Sequence, residues 1–307
     1  MIKKQNIFKI IGFAFFMLVF SGSFACAATL VQDEDKIMGR VAEAESNRIK
    51  WLGKTNNTLT LTDPDLALIK DRLVYGQILG HGTLDENQES LVILAALTAI
   101  GAEDEITLQT EGALRVGTDP VAIKEAIYQC APYVGFPKVE AAIARVNKVF
   151  KQNDIGMPLP GQGTVDENSR FEKGLATQKG IFGDRIQKMH DNALEGQKKI
   201  VVDYLTAYCF GDFYTRNGLD LKMRELVVFT AINALGGCES QAKSHARANI
   251  KVGNTKQNLV DALAIMLPFA GFPRTLNALA ALNEACPEEI KATGKDAAAE
   301  DQGKKKK

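Results

Sequence analysis

The residues with the clearest chemical potential lie between positions 225 and 245. Cys238 follows two glycines, and Gln241 and His245 stand three and seven residues further along the chain. Residues at this spacing share one face of an α-helix, so we expect the three side chains to form a stripe about 10 Å long. Thiols are nucleophiles and imidazoles exchange protons near neutral pH, so the stripe is typical of a reactive site.

Two further features strengthen this hypothesis. Cys238 stands at the start of a predicted helix, where unpaired backbone N–H groups and the helix dipole favour a thiolate. Glu225, on the preceding predicted helix, could orient His245 or exchange protons with it. The competing interpretation is structural, because a helical cysteine is usually a small apolar filler and a single histidine is usually a satisfied core or surface residue.

An internal duplication supports the chemical interpretation. The chain matches itself at an offset of 136 residues, without a gap, from the pair Glu89/Glu225 to the pair Asn147/Asn283. A constant offset over such a length is the signature of a repeated unit. The first copy keeps the glutamate, but it replaces the three other residues, Cys238, Gln241 and His245, with Ala102, Glu105 and Gln109 respectively. This difference suggests that the first copy is a scaffold and the second carries the chemistry.

Each copy is predicted to consist of helices. Apolar residues recur at helical spacing, while Gly117 and Gly253 end helices at positions where a positive φ is needed. Asp119 and Pro120 have the types preferred at the N-cap and at the first helical position. No convincing strand with a period of two appears. The sequence therefore predicts an all-α fold of two tandem repeats.

Composition shifts along the chain predict the boundaries. Residues 1–27 combine three early lysines, an apolar run and a small-x-small site ending at Ala27, which is typical of a secretory signal peptide. A lipoprotein signal at Cys26 is the less favoured alternative. The first repeat is expected over 28–152, a linker rich in glycine and proline over 153–168, the second repeat over 169–290 and a lysine-rich disordered tail over 291–307.

The overall charge argues against a nucleic-acid partner. The full chain has 37 basic and 37 acidic residues, so it lacks the basic surplus that marks nucleic-acid binders. Three scattered histidines and the absence of a CxxC motif argue against a metal site. The apolar run near the N-terminus is too short for a membrane span, and we expect an exported, periplasmic or secreted protein. Pairing among Cys130, Cys209 and Cys286 stays open.

The chain resembles the carboxymuconolactone decarboxylase family, which includes the alkyl hydroperoxidase D proteins. The resemblance covers most of both copies, and it implies the alkyl hydroperoxidase D-like helical fold and cofactor-free chemistry. It also implies homo-oligomers, trimeric or hexameric, with sites near subunit contacts. The stretches that carry it are Glu89 to Ala99, Ala131 to Pro137, Phe210 to Leu226 and Leu267 to Pro273.

Two branches of this family imply different reactions. The chain resembles the peroxidase branch, which carries a pattern of Glu, Cys-x-x-Cys and His. Here Glu225, Cys238 and His245 match that pattern, but Gln241 replaces the second cysteine. A one-cysteine cycle through a sulfenic acid, resolved by an external thiol, is compatible with that change. The decarboxylase branch works with Glu and His alone. In that branch Arg224 could hold a substrate carboxylate, and Gln241 could also contact substrate.

The sequence therefore supports three hypotheses. Peroxide reduction at Cys238, an antioxidant activity, is slightly favoured because of the thiol and the expected export. Acid/base decarboxylation of a lactone at Glu225 and His245 is the alternative enzyme. A binding or scaffold protein that has kept the fold and lost the reaction is the third, motivated by Gln241 and by the altered first copy.

Overall fold

A computed structural model describes residues 39–53 and 58–287 of the chain. The predicted signal peptide and the predicted C-terminal tail lie outside these residues. Within them every regular element is a helix, which confirms the all-α prediction. None of the helices in this part of the chain is both long and apolar enough to cross a membrane.

The first repeat begins with helix α1, which is described from residue 39 to residue 52. A π-helical turn at Val74–Ile78 continues α3, and Pro132 lies in the short helix that follows the break at Cys130. The other helices are α2 (Thr58–Thr62), α3 (Pro64–Leu73), α4 (Glu86–Ile100), α5 (Glu103–Arg115), α6 (Pro120–Gln129), α7 (Ala131–Val134) and α8 (Phe136–Gln152).

The second repeat follows the same plan after residues 153–168, which contain no helix. Its helices are α9 (Arg170–Phe182), α10 (Arg185–Asp191), α11 (Leu221–Leu235), α12 (Glu239–Val252), α13 (Lys256–Ala270) and α14 (Phe272–Ala285). Between α10 and α11 lie a short 3₁₀ turn at Glu195–Gln197 and a π-helix at Lys199–Tyr214. A hydrophobic pattern indicates which face of a helix is buried, but it does not indicate which carbonyl accepts from each backbone N–H. The sequence therefore did not predict the π-helical hydrogen bonding.

The signals predicted for helix ends behave as expected. The Asp119 carboxylate accepts hydrogen bonds from the backbone N–H groups of Val121 and Ala122 at 2.6 and 3.2 Å, which caps α6. Gly117, two residues after the end of α5, and Gly253, directly after α12, adopt φ values of +89° and +100°. Only glycine reaches these conformations without strain, so the two positions end their helices at equivalent points in both repeats.

The two repeats share one hydrophobic core. Helices α4 and α11, which occupy equivalent positions, form the most extensive packing between the repeats. Both helices are buried along almost their whole length, and most of their apolar side chains belong to one cluster, while Val228 and Ile232 of α11 belong to a smaller second cluster. A helix that is apolar on all sides must be covered on all sides, and each of these two is covered partly by its counterpart. The duplication therefore produces one folding unit.

Two buried carboxylates at equivalent positions, Glu125 and Asp261, each accept hydrogen bonds from the opposite repeat. Glu125 of α6 accepts hydrogen bonds from Arg216 at 2.8 to 3.1 Å and from the fully buried Arg224 at 3.1 Å. Its counterpart Asp261 on α13 reaches back and accepts from the backbone N–H and the hydroxyl of Thr83 at 2.7 and 2.6 Å. These contacts join the two repeats in addition to the packing of α4 against α11.

Removing the Glu125 carboxylate should test how much its contacts with the second repeat stabilise the fold. The Glu125→Ala change is expected to lower the free energy of unfolding by about 3 to 5 kcal/mol, because Arg224 would keep its buried charge without the carboxylate. Urea unfolding followed by circular dichroism measures the loss. Glu103→Ala is the matched control, since Glu103 pairs with Arg145 at a partly exposed site and its loss should cost less than about 1 kcal/mol. Equal losses of stability in the two variants would show that the buried Glu125 contacts contribute no more than an exposed ion pair.

Candidate active site

A buried carboxylate and a histidine form the centre of the candidate site. Glu225 of α11 is fully buried, and its Oε2 lies 2.8 Å from Nδ1 of His245 on α12. The Tyr214 hydroxyl donates to the other carboxylate oxygen at 2.8 Å. Both oxygens therefore have partners, as a buried carboxylate requires.

Asn249 fixes the two helices at the height of this pair. Its side-chain amide donates to the backbone carbonyl of Glu225 at 3.0 Å and to that of His245 at 2.8 Å. Asn249 is fully buried one helical turn beyond His245, so its amide ties the two backbones together directly beneath the carboxylate and the imidazole. This bridge explains how residues 20 positions apart keep a hydrogen-bonding distance.

A cavity of about 460 Å³ opens beside His245. Its wall is mostly apolar and aromatic; the rings of Tyr133 and Phe182 each meet the imidazole edge-on, with centroids 5.4 Å away. Arg185 of α10 supplies the cation in the lining, and Gln241 also faces this space. Because Nδ1 is engaged by Glu225, Nε2 is the ring nitrogen left to act on a bound molecule. A cavity of this size accepts a small organic molecule.

Cys238 lies in a different cavity, of about 250 Å³, which it lines together with Asn233 and Arg274. The predicted stripe assumed helical geometry at all three positions, but Cys238 is the N-cap of α12 with φ −126° and ψ 39°. Its side chain therefore leaves the line of Gln241 and His245, and its Sγ lies 3.4 Å from the Gly236 carbonyl. The structure brings Glu225, His245 and Gln241 to one region and places the thiol in another.

Arg224 does not reach either cavity. Its guanidinium is fully buried and donates to Gln129 and to the carbonyls of Arg216 and Asn217, each at 2.8 Å, in addition to Glu125. The Arg224 Nε has no hydrogen-bond partner among the described residues, and Arg224 is absent from the lining of both cavities. The substrate-binding role expected for Arg224 stays a prediction, and the observed hydrogen bonds place the side chain in the contact between the repeats.

The equivalent region of the first repeat is arranged differently. Gln109, which stands where the second repeat has His245, donates to Glu105 at 3.0 Å. The indole of Trp51 from α1 packs against Gly112 on the same helix, and it is 1% exposed. A large apolar side chain thus packs against α5 about one helical turn beyond Gln109. The absence of an imidazole agrees with the interpretation of the first copy as a scaffold.

Burial controls the protonation of the groups around the pair. Desolvation raises the pKa of the Cys209 thiol to about 12, and it raises the pKa values of Tyr133 and Tyr214 well above the ordinary value for tyrosine. These three groups therefore keep their protons at neutral pH and act as hydrogen-bond donors. Cys130 is likewise a core residue, with its pKa raised to about 12 by burial.

No disulfide joins the four cysteines between Cys130 and Cys286 in the described part of the chain. The same part holds no group of three or more His, Cys, Asp or Glu side chains that could bind a metal ion. Sequence reasoning missed Tyr133, Phe182, Arg185 and Tyr214. The spacing of Tyr214 and Glu225 across a turn gives no signal of contact, and Tyr133 and Arg185 come from elements distant in sequence.

This arrangement defines a class: an all-helical protein of two fused repeats, with a buried carboxylate–histidine pair beside a cavity in the second repeat. The chain belongs to the carboxymuconolactone decarboxylase family, whose sequence profile matches residues 67–148 and 201–284. The two matched segments correspond to the two repeats, and together they span more than half of the chain.

The chain is also similar to two individual proteins. The chain is 29% identical over 108 residues to a 4-carboxymuconolactone decarboxylase from Acinetobacter baylyi, in a match that covers 35% of this chain and 79% of that protein. A solved structure from Burkholderia xenovorans LB400, provisionally assigned as a gamma-carboxymuconolactone decarboxylase subunit, is 18% identical with a TM-score of 0.48. That match covers 80% of this chain and 98% of the other.

The duplicated glutamate gives a testable pH dependence. Glu89 is 1% exposed, one carboxylate oxygen accepts from the Gly80 N–H at 2.8 Å, and the other has no hydrogen-bond partner among the described residues. Burial, followed by the nearby carboxylates of Glu86 and Asp261, raises the pKa of Glu89 to about 7. A raised carboxyl pKa favours the folded state while the group is protonated, and this contribution is lost as pH rises through about 7.

We therefore expect the Glu89→Gln variant to be more stable than the wild type at pH 8, by on the order of 3 kcal/mol, and similar to it near pH 4.5. The measurement is the difference between the two urea-unfolding curves at a series of pH values. Glu140→Gln, at an exposed position of α8, is the control and should leave the difference near zero at every pH. A constant difference for Glu89→Gln across pH 4.5 to 8 would show that its pKa is not raised.

Proposed function

We propose that this protein is a cofactor-free acid/base enzyme that decarboxylates a small lactone carboxylic acid in the cavity beside His245. The observation that carries the proposal is the 2.8 Å contact between Glu225 and His245 at the wall of a 460 Å³ cavity. Family membership and the similarity to a 4-carboxymuconolactone decarboxylase support the class of reaction.

The proposed reaction uses three side chains. Arg185 would bind a substrate carboxylate, since a guanidinium matches a carboxylate in charge and shape. When the bond to a second carboxylate breaks, carbon dioxide leaves and the electron pair stays on a carbon conjugated with the lactone carbonyl. His245 would deliver a proton from Nε2 to that carbon. The imidazole then regains its proton from water.

Glu225 would act by orienting the imidazole. Its contact with Nδ1 fixes the ring so that Nε2 is the nitrogen available to the cavity, and its charge stabilises the imidazolium form. The aromatic wall formed by Tyr133 and Phe182 would limit the access of water to the reacting carbon. Gln241, which also lines the cavity, is the residue proposed to hydrogen-bond the lactone oxygen.

Replacing His245 tests this proposal. With 4-carboxymuconolactone as the probe, His245→Gln is expected to lower kcat/KM for carbon dioxide release by at least a hundredfold, because the proton donor is lost. The matched control is His81→Gln, a partly exposed histidine of the first repeat that pairs with Glu43. Retention of the wild-type rate in His245→Gln would rule out this mechanism.

The same assay examines the roles of Arg185 and the thiol. Arg185→Gln should raise KM for the lactone acid with kcat largely retained, whereas Lys188→Gln on the same helix should not. Cys238→Ser should leave decarboxylation unchanged, because Cys238 lines a separate cavity.

A second candidate function, peroxide reduction, is supported by the position of Cys238. The thiol stands at the N-terminus of α12, is half-buried and shares its cavity with Arg274. In this reaction the thiolate would attack one peroxide oxygen, so that an S–O bond forms, the O–O bond breaks and an alcohol or water leaves. An external dithiol would then reduce the sulfenic acid, since Gln241 stands where the second cysteine of the peroxidase pattern would be.

If this second activity is present, Cys238→Ser should abolish hydroperoxide consumption in the presence of dithiothreitol, and Cys286→Ser, at the other half-buried cysteine, should not. Loss of the peroxide by an indicator assay measures both variants. An undiminished rate in Cys238→Ser would exclude the thiol as the reacting group, whatever the outcome of the decarboxylation assay.

A further inference from the structure

A chain of hydrogen bonds runs from Cys209 of the second repeat through Tyr133 of the first repeat and back to the Glu225 carboxylate of the second. The Cys209 Sγ lies 3.6 Å from the Tyr133 hydroxyl, which lies 3.1 Å from the Tyr214 hydroxyl. Tyr214 in turn donates to Glu225 at 2.8 Å. Tyr133 lies on α7 of the first repeat, whereas the other members of the chain belong to the second.

The direction of donation along this chain follows from its end. An ionised carboxylate accepts hydrogen bonds and cannot donate them, so the hydroxyl proton of Tyr214 is committed to Glu225. The oxygen of Tyr214 is then left to accept from Tyr133, and the oxygen of Tyr133 to accept from Cys209. Donors linked in one direction polarise each other, so each upstream group strengthens the final bond to the carboxylate.

Tyr133 also contacts the other partner of the carboxylate. Its ring meets the His245 ring edge-on, with centroids 5.4 Å apart and an angle of 82° between the planes. The same side chain lines the large cavity. One residue of the first repeat therefore packs against the imidazole and, through Tyr214, supports the hydrogen bonding of the glutamate.

A comparison of the two repeats shows that, at the position of Tyr133, only the first repeat contributes a tyrosine hydroxyl to the other. The residue equivalent to Tyr133 in the second repeat is Phe269, which has no hydroxyl. By symmetry, Phe269 would contribute to an equivalent site in the first repeat. That repeat has Gln109 in place of the histidine. The hydroxyl is therefore present where it can serve the Glu225–His245 pair and missing at the equivalent position in the other half of the chain.

We infer that Tyr133 is a positioning residue for the Glu225–His245 pair, so the first repeat completes the active site of the second. This inference rests on the proposed function in assigning the pair to catalysis. Tyr133 acts through Tyr214 by holding the carboxylate in the orientation that engages Nδ1 of His245. The first repeat is then a functional part of the site as well as its scaffold.

The test follows His245 directly in the full chain. The sequence contains three histidines, so labelling histidine with ¹⁵N gives a simple spectrum, and His245→Gln assigns the resonance. Among the described residues, Tyr133 on α7 contacts the ring and Arg185 lines the same cavity, so both are titratable or charged groups near His245 besides Glu225. The midpoint of the His245 titration is expected to rise by about half a unit in Tyr133→Phe and by more in Tyr214→Phe. A carboxylate that has lost hydrogen-bond donation holds an imidazolium more strongly.

The matched control is Tyr75→Phe, which removes a fully buried hydroxyl from the first repeat near Gln109 and should not move the midpoint. Cys209→Ala is a second variant at the far end of the chain, and it should move the midpoint in the same direction by less. In the decarboxylation assay we expect Tyr133→Phe to lower kcat/KM roughly tenfold with a displaced pH profile, as for one lost hydrogen bond to a charged network.

The outcomes separate this inference from the proposed function. If the midpoint moves in Tyr133→Phe and Tyr214→Phe but the wild type releases no carbon dioxide, the positioning role stands and the proposed reaction fails. An unchanged midpoint in Tyr133→Phe, or in Cys209→Ala should Tyr133→Phe not fold, overturns the inference even in an active enzyme. Equal movement in Tyr75→Phe also overturns it, since the effect would then follow from any buried hydroxyl.

Discussion

The burial of the Glu225 carboxylate is the constraint on which the rest of the site depends. A carboxylate removed from water is costly unless its oxygens are hydrogen-bonded, and Glu225 is fully buried. Its two oxygens are satisfied by Tyr214 and His245, which come from the π-helix and from α12. Helix α11, which carries the glutamate, must therefore lie within hydrogen-bonding reach of both elements.

The same requirement is met differently in the first repeat. Glu89 has a backbone N–H as the partner of one oxygen and leaves the other without a hydrogen bond among the described residues, and burial raises its pKa to about 7. The two glutamates thus share a position and differ in what surrounds them. A carboxylate with two donors is suited to orient an imidazole, whereas one with a single donor is suited to accept a proton. Divergence after duplication changed the neighbours and kept the acid.

The contact between the repeats connects stability with chemistry. The ion pairs of Glu125 hold α6 against the loop that leads into α11, and α7 follows directly after α6. The placement of Tyr133 beside His245 therefore depends on the same contact that buries Arg224. The position of Arg224 next to Glu225 in the sequence suggested a substrate contact, whereas its guanidinium hydrogen-bonds to groups at the contact between the repeats. The cation in the cavity, Arg185, comes instead from a short helix that the sequence did not single out.

The sequence by itself determined the duplication, the helical class, the helix ends at Gly117 and Gly253 and the interest of Glu225 and His245. These features depend on local rules, because capping, glycine conformations and hydrophobic spacing act within a few residues of the chain. Only the tertiary structure decided that Cys238 and His245 face different cavities, that Arg224 is buried and that Tyr133 joins the site. Side-chain direction at an N-cap and contacts between residues about 90 to 110 positions apart depend on how the helices pack. The periodicity of a local sequence segment does not indicate how that segment packs against distant parts of the chain.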